Sequence, residues 1–509
     1  MKKQLIKLSA AALAVFMLAG CGGGSNENDS NNADERDVVD TMRPGDDTET
    51  NANDAYIPHD VFGRPLLDEF GRPTTAGFNE VPMNLNGRIM RVAVYSPYIR
   101  NFTYWENIDA TPNETLSLIS RLRDIEQDYN MTFEFITMDV HPGTFMSTLQ
   151  LNRMTGDIQH DMMVLGTGRT ALDGIFTRDI VMDLKHPSVS EILDFENNPW
   201  LPETRMTDMF GRQHGVHFLR SNSGHLVNST ITFNRNFVSQ FGLPNLYEMV
   251  WNKTWNFTNF ESILRQVSTN SNGSVIPIVS WRENLFAPHF ILSNGGTVTQ
   301  VMPDGSKQFV GHENDRALDA LGFMARLFEQ NLFTLLGGPT EERDFALTAM
   351  ADGQAMFIPG YYEHLRRLTR QEPPTEFDFG LLPFPKGDHM DDFVVTTHNS
   401  EQFYIIKDAP NPEEIAAILV AMANRISKIN IIETELNYGV QDTESAEILE
   451  MMLEQHRWVM DYSRLSSARN NVTNAINMVI NLQSTPRQAF ETFALTIQQN
   501  YDSLMMSMQ

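Results

Sequence analysis

From about residue 87 onward, short apolar runs alternate with stretches of helical periodicity, and this alternation confines the chain to α/β architectures. Residues 88–95 (RIMRVAVY) read as a buried strand stopped by Ser96 and Pro97. Residues 116–129 (LSLISRLRDIEQDY) place apolar side chains at 116, 118, 119, 122 and 125, close to the spacing of one helix face. A second strand is expected at 132–138, a second helix at 145–154 and a third strand at 161–165. Strand and helix in turn, at this spacing, predict parallel βαβ units. The pattern continues with strands at 229–235, 276–281, 355–358 and 402–406 and helices at 255–267, 314–330, 341–352 and 412–424. Asn256 or Thr258 begins the 255–267 helix. The last hundred residues read as helical throughout, and no internal repeat is present.

The amino terminus carries a separate signal. Lys2, Lys3 and Lys7 precede a thirteen-residue apolar stretch at 8–20 (LSAAALAVFMLAG), the length of a signal-peptide core and too short to span a bilayer. It ends in Leu18-Ala19-Gly20-Cys21, which resembles the lipobox of bacterial lipoproteins; Cys21 is the only cysteine in the chain. In such lipoproteins the cysteine is diacylated and becomes the mature terminus. Two acyl chains, at about 0.8 kcal/mol per buried methylene, hold a protein on a membrane where one would be marginal. Residues 1–20 are therefore expected to be a signal peptide. Residues 21–60 are expected to be the acylated cysteine and a disordered acidic tether, since 22–60 holds eleven Asp and Glu, two Arg and few large apolar residues. A lone acylated cysteine leaves no disulfide, so stability must come from a core. With 509 residues the chain is long enough for two lobes.

The formal net charge of −27 argues against DNA, RNA and anionic lipid surfaces as partners, because phosphate binding needs basic patches. Motifs for catalysis are incomplete. His312-Glu313 begins like a zinc-protease helix, but position 316 is Arg where the second histidine would stand. No Gly-x-Ser-x-Gly elbow and no phosphate-binding Gly-Lys-Ser/Thr loop is present. The run from Gly166 to Ala171 superficially resembles a dinucleotide loop and reads better as a tight turn at a strand's carboxyl end. Paired carboxylates of a glycoside hydrolase are defined by distance rather than by spacing, so that class stays open. Aromatic residues are the stronger lead. Trp251, Trp255, Trp281, Tyr361 and Tyr362 stand at strand ends or loop–helix junctions, with Trp255 the most structural of them. Sugar rings stack their C–H faces on flat side chains and offer a rim of hydroxyls to residues such as Glu, Asn and Arg. Trp281-Arg282-Glu283-Asn284 puts those types together just after a strand.

A series of pieces in order resembles the family 1 extracellular solute-binding proteins of ABC importers, the group that includes maltose- and multiple-sugar-binding proteins. Residues 121–133 (RLRDIEQDYNMTF) are similar to its helix-then-strand segment. Residues 232–237 with 241–244 (TFNRNF and FGLP) resemble its "yNkdlf…GlP" piece. Residues 351–356 followed by Gly360-Tyr361-Tyr362 resemble "nGkaAM…g.w", and 382–387 (LPFPKG) resembles its "lPlPkG" crossover. The resemblance runs from about 85 to 509. It departs from the family at Tyr361-Tyr362, where Trp is frequent, and in extra sequence at 190–210.

The resemblance implies an α/β, two-lobed periplasmic-binding-protein-like fold of type II, with several chain crossings near 217–225, 385–397 and 440–455. Lobe one would be 85–220 plus 395–440, and lobe two 225–385 plus 450–509. It further implies a ligand cleft reached by Tyr95, Thr167 and Arg169 from one lobe and by Trp281, Glu283, Phe286, Tyr361 and Tyr362 from the other. The expected role is that of a monomeric, lipid-anchored protein on the extracytoplasmic face of the cell membrane. It would capture a carbohydrate, in this reading an oligosaccharide, by hinge closure and deliver it to ABC permease subunits, with no catalysis, cofactor or metal. The alternatives are a secreted carbohydrate-active hydrolase, a binding protein for another solute such as a peptide, and a receptor or adhesin on the same fold.

Overall fold

The structure, a computed structural model, describes residues 80–95, 113–138, 142–166, 175, 178–195, 212–216, 227, 229–281, 283–302, 306–336, 342–370, 374–397, 401–427, 439–455, 457–458 and 466–508. All of them belong to one compact unit, Ile57–Gln509. Cys21, the signal segment and the tether lie outside the described residues.

Strand β1 (Arg88–Tyr95) leads through α1 (Asn113–Tyr129) to β2 (Met131–Met138), and α2 (Pro142–Thr155) leads to β3 (Met162–Gly166). Met90, Val92, Ala93 and Val94 are buried in β1, as are Met162, Met163, Val164 and Leu165 in β3. Burial on both faces is why these strands read as unbroken apolar runs. A single residue, Asn130, converts α1 into β2. Its φ of 49° is the left-handed helix end that Asn adopts at low cost. The Asn130 carbonyl accepts the Gly87 N–H at 2.7 Å, and the Tyr129 carbonyl accepts that of Leu85 at 2.8 Å, so this turn also aims the chain into β1. β1 runs parallel to β2 from Arg88↔Met131 to Tyr95↔Met138, and parallel to β3 from Val92↔Met162 to Val94↔Val164.

After α3 (Pro187–Leu193) come β4 (Thr230–Asn234), α4 (Asn236–Gln240), α5 (Leu246–Trp251), α6 (Phe257–Asn270), β5 (Ile276–Ser280) and α7 (Glu283–Ser293). A hairpin of β6 (Thr299–Val301) and β7 (Lys307–Phe309) precedes α8 (Asp315–Glu329) and β8 (Phe333–Leu335). Then follow α9 (Glu342–Ala351), β9 (Ala355–Gly360), α10 (Tyr362–Thr369) and β10 (Phe379–Pro383). Asn256 is the residue that caps α6, accepting the Asn259 N–H at 3.0 Å, and Asn314 caps α8 through Ala317 at 2.9 Å. Trp255, next to the cap, is wholly buried and donates its indole N–H to the Pro383 carbonyl at 2.9 Å. It packs against Phe260 and Phe357, which makes it the structural aromatic its position suggests.

The remaining elements are β11 (Thr396–Thr397), β12 (Glu401–Ile405), α11 (Pro412–Ser427), α12 (Thr443–Glu454), β13 (Arg457–Trp458), α13 (Ser466–Ile480) and α14 (Pro486–Met508). Two larger sheets result, in the orders β12-β3-β1-β2 and β10-β4-β9-β5-β8. Neither is purely parallel, as simple βαβ repetition would make it. β12 is antiparallel to β3, and β4 is antiparallel to both β9 and β10. These strands are delivered by chain passing between the sheets, and a strand arriving from the other lobe is not bound by the crossover that keeps βαβ strands parallel.

The chain passes between the sheets between 216 and 230, between 383 and 401, and between 427 and 443. β11 and β13 pair in parallel on that path. The third passage precedes the stretch near 440–455, because α12 already packs on β10. α11 packs on α1, α3 and β12, whereas α13 and α14 pack on each other and against α8.

A buried ion cluster holds the first sheet's helices to the residues that enter it. Arg425, 7% exposed, donates to Glu80 at 2.6 Å and to Asp128 at 2.7 Å. Burial alone would lower the guanidinium pKa, but its bonds to Glu80 and Asp128 outweigh this and raise it. Arg425→Ala leaves both carboxylates uncompensated and should lower unfolding free energy by about 3 kcal/mol or more, read from urea denaturation.

Candidate functional site

Strands β3, β4 and β9 are buried on both faces, so the strand ends are where their chain can meet a solute. In open α/β sheets ligands lie outside the carboxyl ends. In the second sheet the parallel strands β5, β8 and β9 end at Ser280, Leu335 and Gly360. Trp281 follows the first of these and is half-buried; Tyr361 follows the last and is 8% exposed. His364, one turn into α10, lies between them. Its ring centroid is 4.7 Å from that of Trp281, at 71°, and 5.6 Å from that of Tyr361, at 67°. Both are edge-to-face arrangements, the favoured geometry for aromatic pairs.

Gly360 makes this cluster possible. A Cβ there would stand 2.5 Å from His364 Cε1, and the backbone φ of +142° disfavours any side chain. Thr230 donates its hydroxyl to the Gly360 carbonyl at 3.2 Å, and the Tyr362 N–H bonds the Val227 carbonyl at 3.1 Å, fixing the turn. Nearby, the Ser229 hydroxyl accepts the Thr396 N–H at 2.7 Å, and the Thr396 hydroxyl meets His289 Nδ1 at 3.3 Å. This ties the β11 passage to the start of β4.

The first sheet contributes the ends of β1, β2 and β3. Tyr95 is the last residue of β1, level with Met138 of β2. β3 ends at Gly166, and Thr167 and Arg169 just beyond it lie outside the described residues. β12 borders the end of β3, with Glu401 opposite Gly166 and Gln402 opposite Leu165. Val216 bridges Phe403 on the other side of β12.

Two expected site residues belong to the core instead. Phe286 is fully buried, with its ring 4.6 Å from Phe333 and 6.4 Å from Phe290; the first turn of α7 carries it past the strand end and onto β8. Tyr362 is also fully buried, because it opens α10 and turns into the lobe while Tyr361 stays at the rim. Glu283 is the first residue of α7. His364 was not singled out by sequence reasoning. The signal that could have found it is the glycine at 360, whose missing side chain is what the ring requires.

Two cavities stand elsewhere. One of about 560 Å³ lies where the amino ends of α6, α8 and α14 meet, lined by Thr258, Asp315, Asp319, Arg326, Asp388 and Arg487 among others. Asp388 already accepts the Thr258 N–H and hydroxyl, at 3.0 and 2.7 Å, and so satisfies the start of α6. The other, about 370 Å³, lies at the amino ends of β1 and β3, opposite the expected cleft, beside Arg88, His160 and Asp161. Burial lowers the pKa of His160 there. Among the described residues no group of His, Cys, Asp and Glu is placed to hold a metal ion.

Solved structures share this fold along most of the chain. The cyclic α-maltosyl-1,6-maltose binding protein of Arthrobacter globiformis aligns with a TM-score of 0.58 at 10% identity, over 82% of this chain and 100% of its own. The galacto-N-biose-/lacto-N-biose I-binding protein of the ABC transporter of Bifidobacterium longum, in complex with lacto-N-biose, aligns at 0.55 and 11%, over 82% and 98%. UgpB of Mycobacterium tuberculosis, in complex with glycerophosphocholine, aligns at 0.54 and 12%, over 81% and 98%. The sequence matches no protein-family model and no curated protein. The fold is thus the two-lobed one of solute-binding proteins, as the sequence resemblance implies.

Gly360→Ala should push the His364 ring off its seat between Trp281 and Tyr361. The expected outcome is a lower melting temperature with a changed near-ultraviolet circular dichroism spectrum, and unchanged values in both would remove the steric role of this glycine.

Proposed function

We propose that the chain is the solute-binding component of an ABC importer, capturing a carbohydrate between its two lobes and handing it on unchanged. The observation that carries this is the aromatic cluster of Trp281, His364 and Tyr361 at the carboxyl ends of the second sheet in a two-lobed binding-protein fold. A sugar ring offers an apolar C–H face for such rings and a hydroxyl rim for polar groups from the other lobe. Contact with both lobes favours the closed state by the extra interaction energy available only there. The relatives that bind a cyclic maltosyl-maltose and lacto-N-biose support this solute class, and they are binding proteins rather than enzymes.

The same reading places the protein on the extracytoplasmic face of the cell membrane. Cys21 carries the lipid, the acidic stretch at 22–60 is the spacer, and permease subunits are the partners. Protein bearing Cys21→Ser should leave the detergent-soluble membrane fraction for the aqueous one; retention in the membrane would end the anchor proposal.

Solute binding is tested by thermal shift with maltose, cyclic α-maltosyl-1,6-maltose and lacto-N-biose, since a ligand specific to the native state raises the melting temperature. Trp281→Ala should weaken binding of the stabilising sugar by about tenfold or more without unfolding the chain. Stabilisation by glycerophosphocholine and by none of the sugars would move the solute to another class.

A further inference from the structure

We infer that the cavity where the amino ends of α6, α8 and α14 meet binds an aliphatic amine cation, a diamine or short polyamine, at a site separate from the solute cleft. Its volume of about 560 Å³ is that of a small-molecule site, and none of Trp281, Tyr361 and His364 lines it. Asn294, directly after α7, is a lining residue and is only 3% exposed. Its amide nitrogen donates to the Arg316 carbonyl at 2.7 Å, which fixes the nitrogen on that side. The amide oxygen accepts from no group among the described residues. That oxygen is not sealed from solvent, and the cavity is what it opens on. A Cβ at Gly387 would run into it, so glycine there is what gives it room. A buried carbonyl oxygen held in this way calls for a donor.

The charges around the cavity leave a negative surplus. Arg326 pairs with Glu261 at 3.7 Å, a carboxylate that Arg265 also holds at 2.7 Å. Arg487 pairs with Asp315 at 3.2 Å and donates to the His312 carbonyl at 2.7 Å, so both lining guanidiniums are engaged. Asp319 has no ion-pair partner among the described residues, and Asp388 accepts only the neutral N–H and hydroxyl of Thr258. Two carboxylates and an amide oxygen thus line one space with no cation of the chain's own to meet them. The apolar part of the wall is Leu318 with Phe257 and Phe323, whose rings stack at 4.3 Å and 7°. Arg326 already lies over the Phe323 ring, 5.6 Å from its centroid, so that ring takes a cation on its face. Acceptors and negative charge beside apolar surface suit ammonium groups on a methylene chain. Each ammonium brings three donors and no acceptor, and the methylenes cover the apolar wall. A bare metal ion fits less well, because no group of three His, Cys, Asp or Glu among the described residues is placed to hold one.

Isothermal titration of the full chain with spermidine and with putrescine tests the inference, whatever solute the cleft takes. The wild type should bind at least one of the two, and Asp319→Asn should weaken that binding by about tenfold. Gly322→Leu is the sharper variant, because it alters no charge. Gly322 lines the cavity, a Cβ there would meet nothing within 4 Å, and glycine is a poor helix former. Leucine should therefore hold or raise the melting temperature while it fills the cavity and abolishes amine binding. A chain of net charge −27 attracts amines diffusely as well. Diffuse binding would survive Gly322→Leu, and that result overturns the site, as does a wild type that binds neither amine. Should Gly322→Leu fail to fold, Asp319→Asn is set against Glu450→Gln, an exposed carboxylate of α12 outside the cavity; equal losses overturn the site. Trp281→Ala should leave amine affinity unchanged. A loss there would put the amine in the solute cleft and overturn the separate site.

Discussion

The architecture depends on central strands that are buried on both faces. A parallel strand needs a long crossover to reach its neighbour, and the crossover helices cover the sheet above and below. Met90, Val92, Ala93 and Val94 fill β1 with apolar side chains in both directions, and the five residues of β4 are all buried. Chemistry is then confined to strand ends, where loops leave the sheet and side chains are free of the core. The Trp281, His364 and Tyr361 cluster occupies that position in the second sheet.

Local patterns in the sequence located most elements to within a few residues. Residues 88–95 form the expected strand, Asn256 caps the expected helix, and 401–405 form a strand one residue from its expected limits. Strand direction was not legible. A strand covered on both faces has the same apolar composition whether it runs parallel or antiparallel, so β4 and β12 carry no mark of their reversal. Direction is set by where the chain comes from, which is a property of the connections.

The site was legible in part, and for a physical reason. An aromatic directly after a strand stands at the rim, as Trp281 and Tyr361 do, but a helix that starts at once rotates the next residues inward. Phe286 lies one turn into α7 and Tyr362 opens α10, and both join the core. His364 becomes visible only when the space above Gly360 is known.

The order in which the first sheet is assembled has a further consequence. Its edge strand β12 comes from residues 401–405, after all five strands of the second sheet have been made. During synthesis β3 therefore has its β12 side unpaired until some four-fifths of the polypeptide has emerged, and pairings between such distant segments form slowly. A chain that completes its first sheet this late stays threadable for longer.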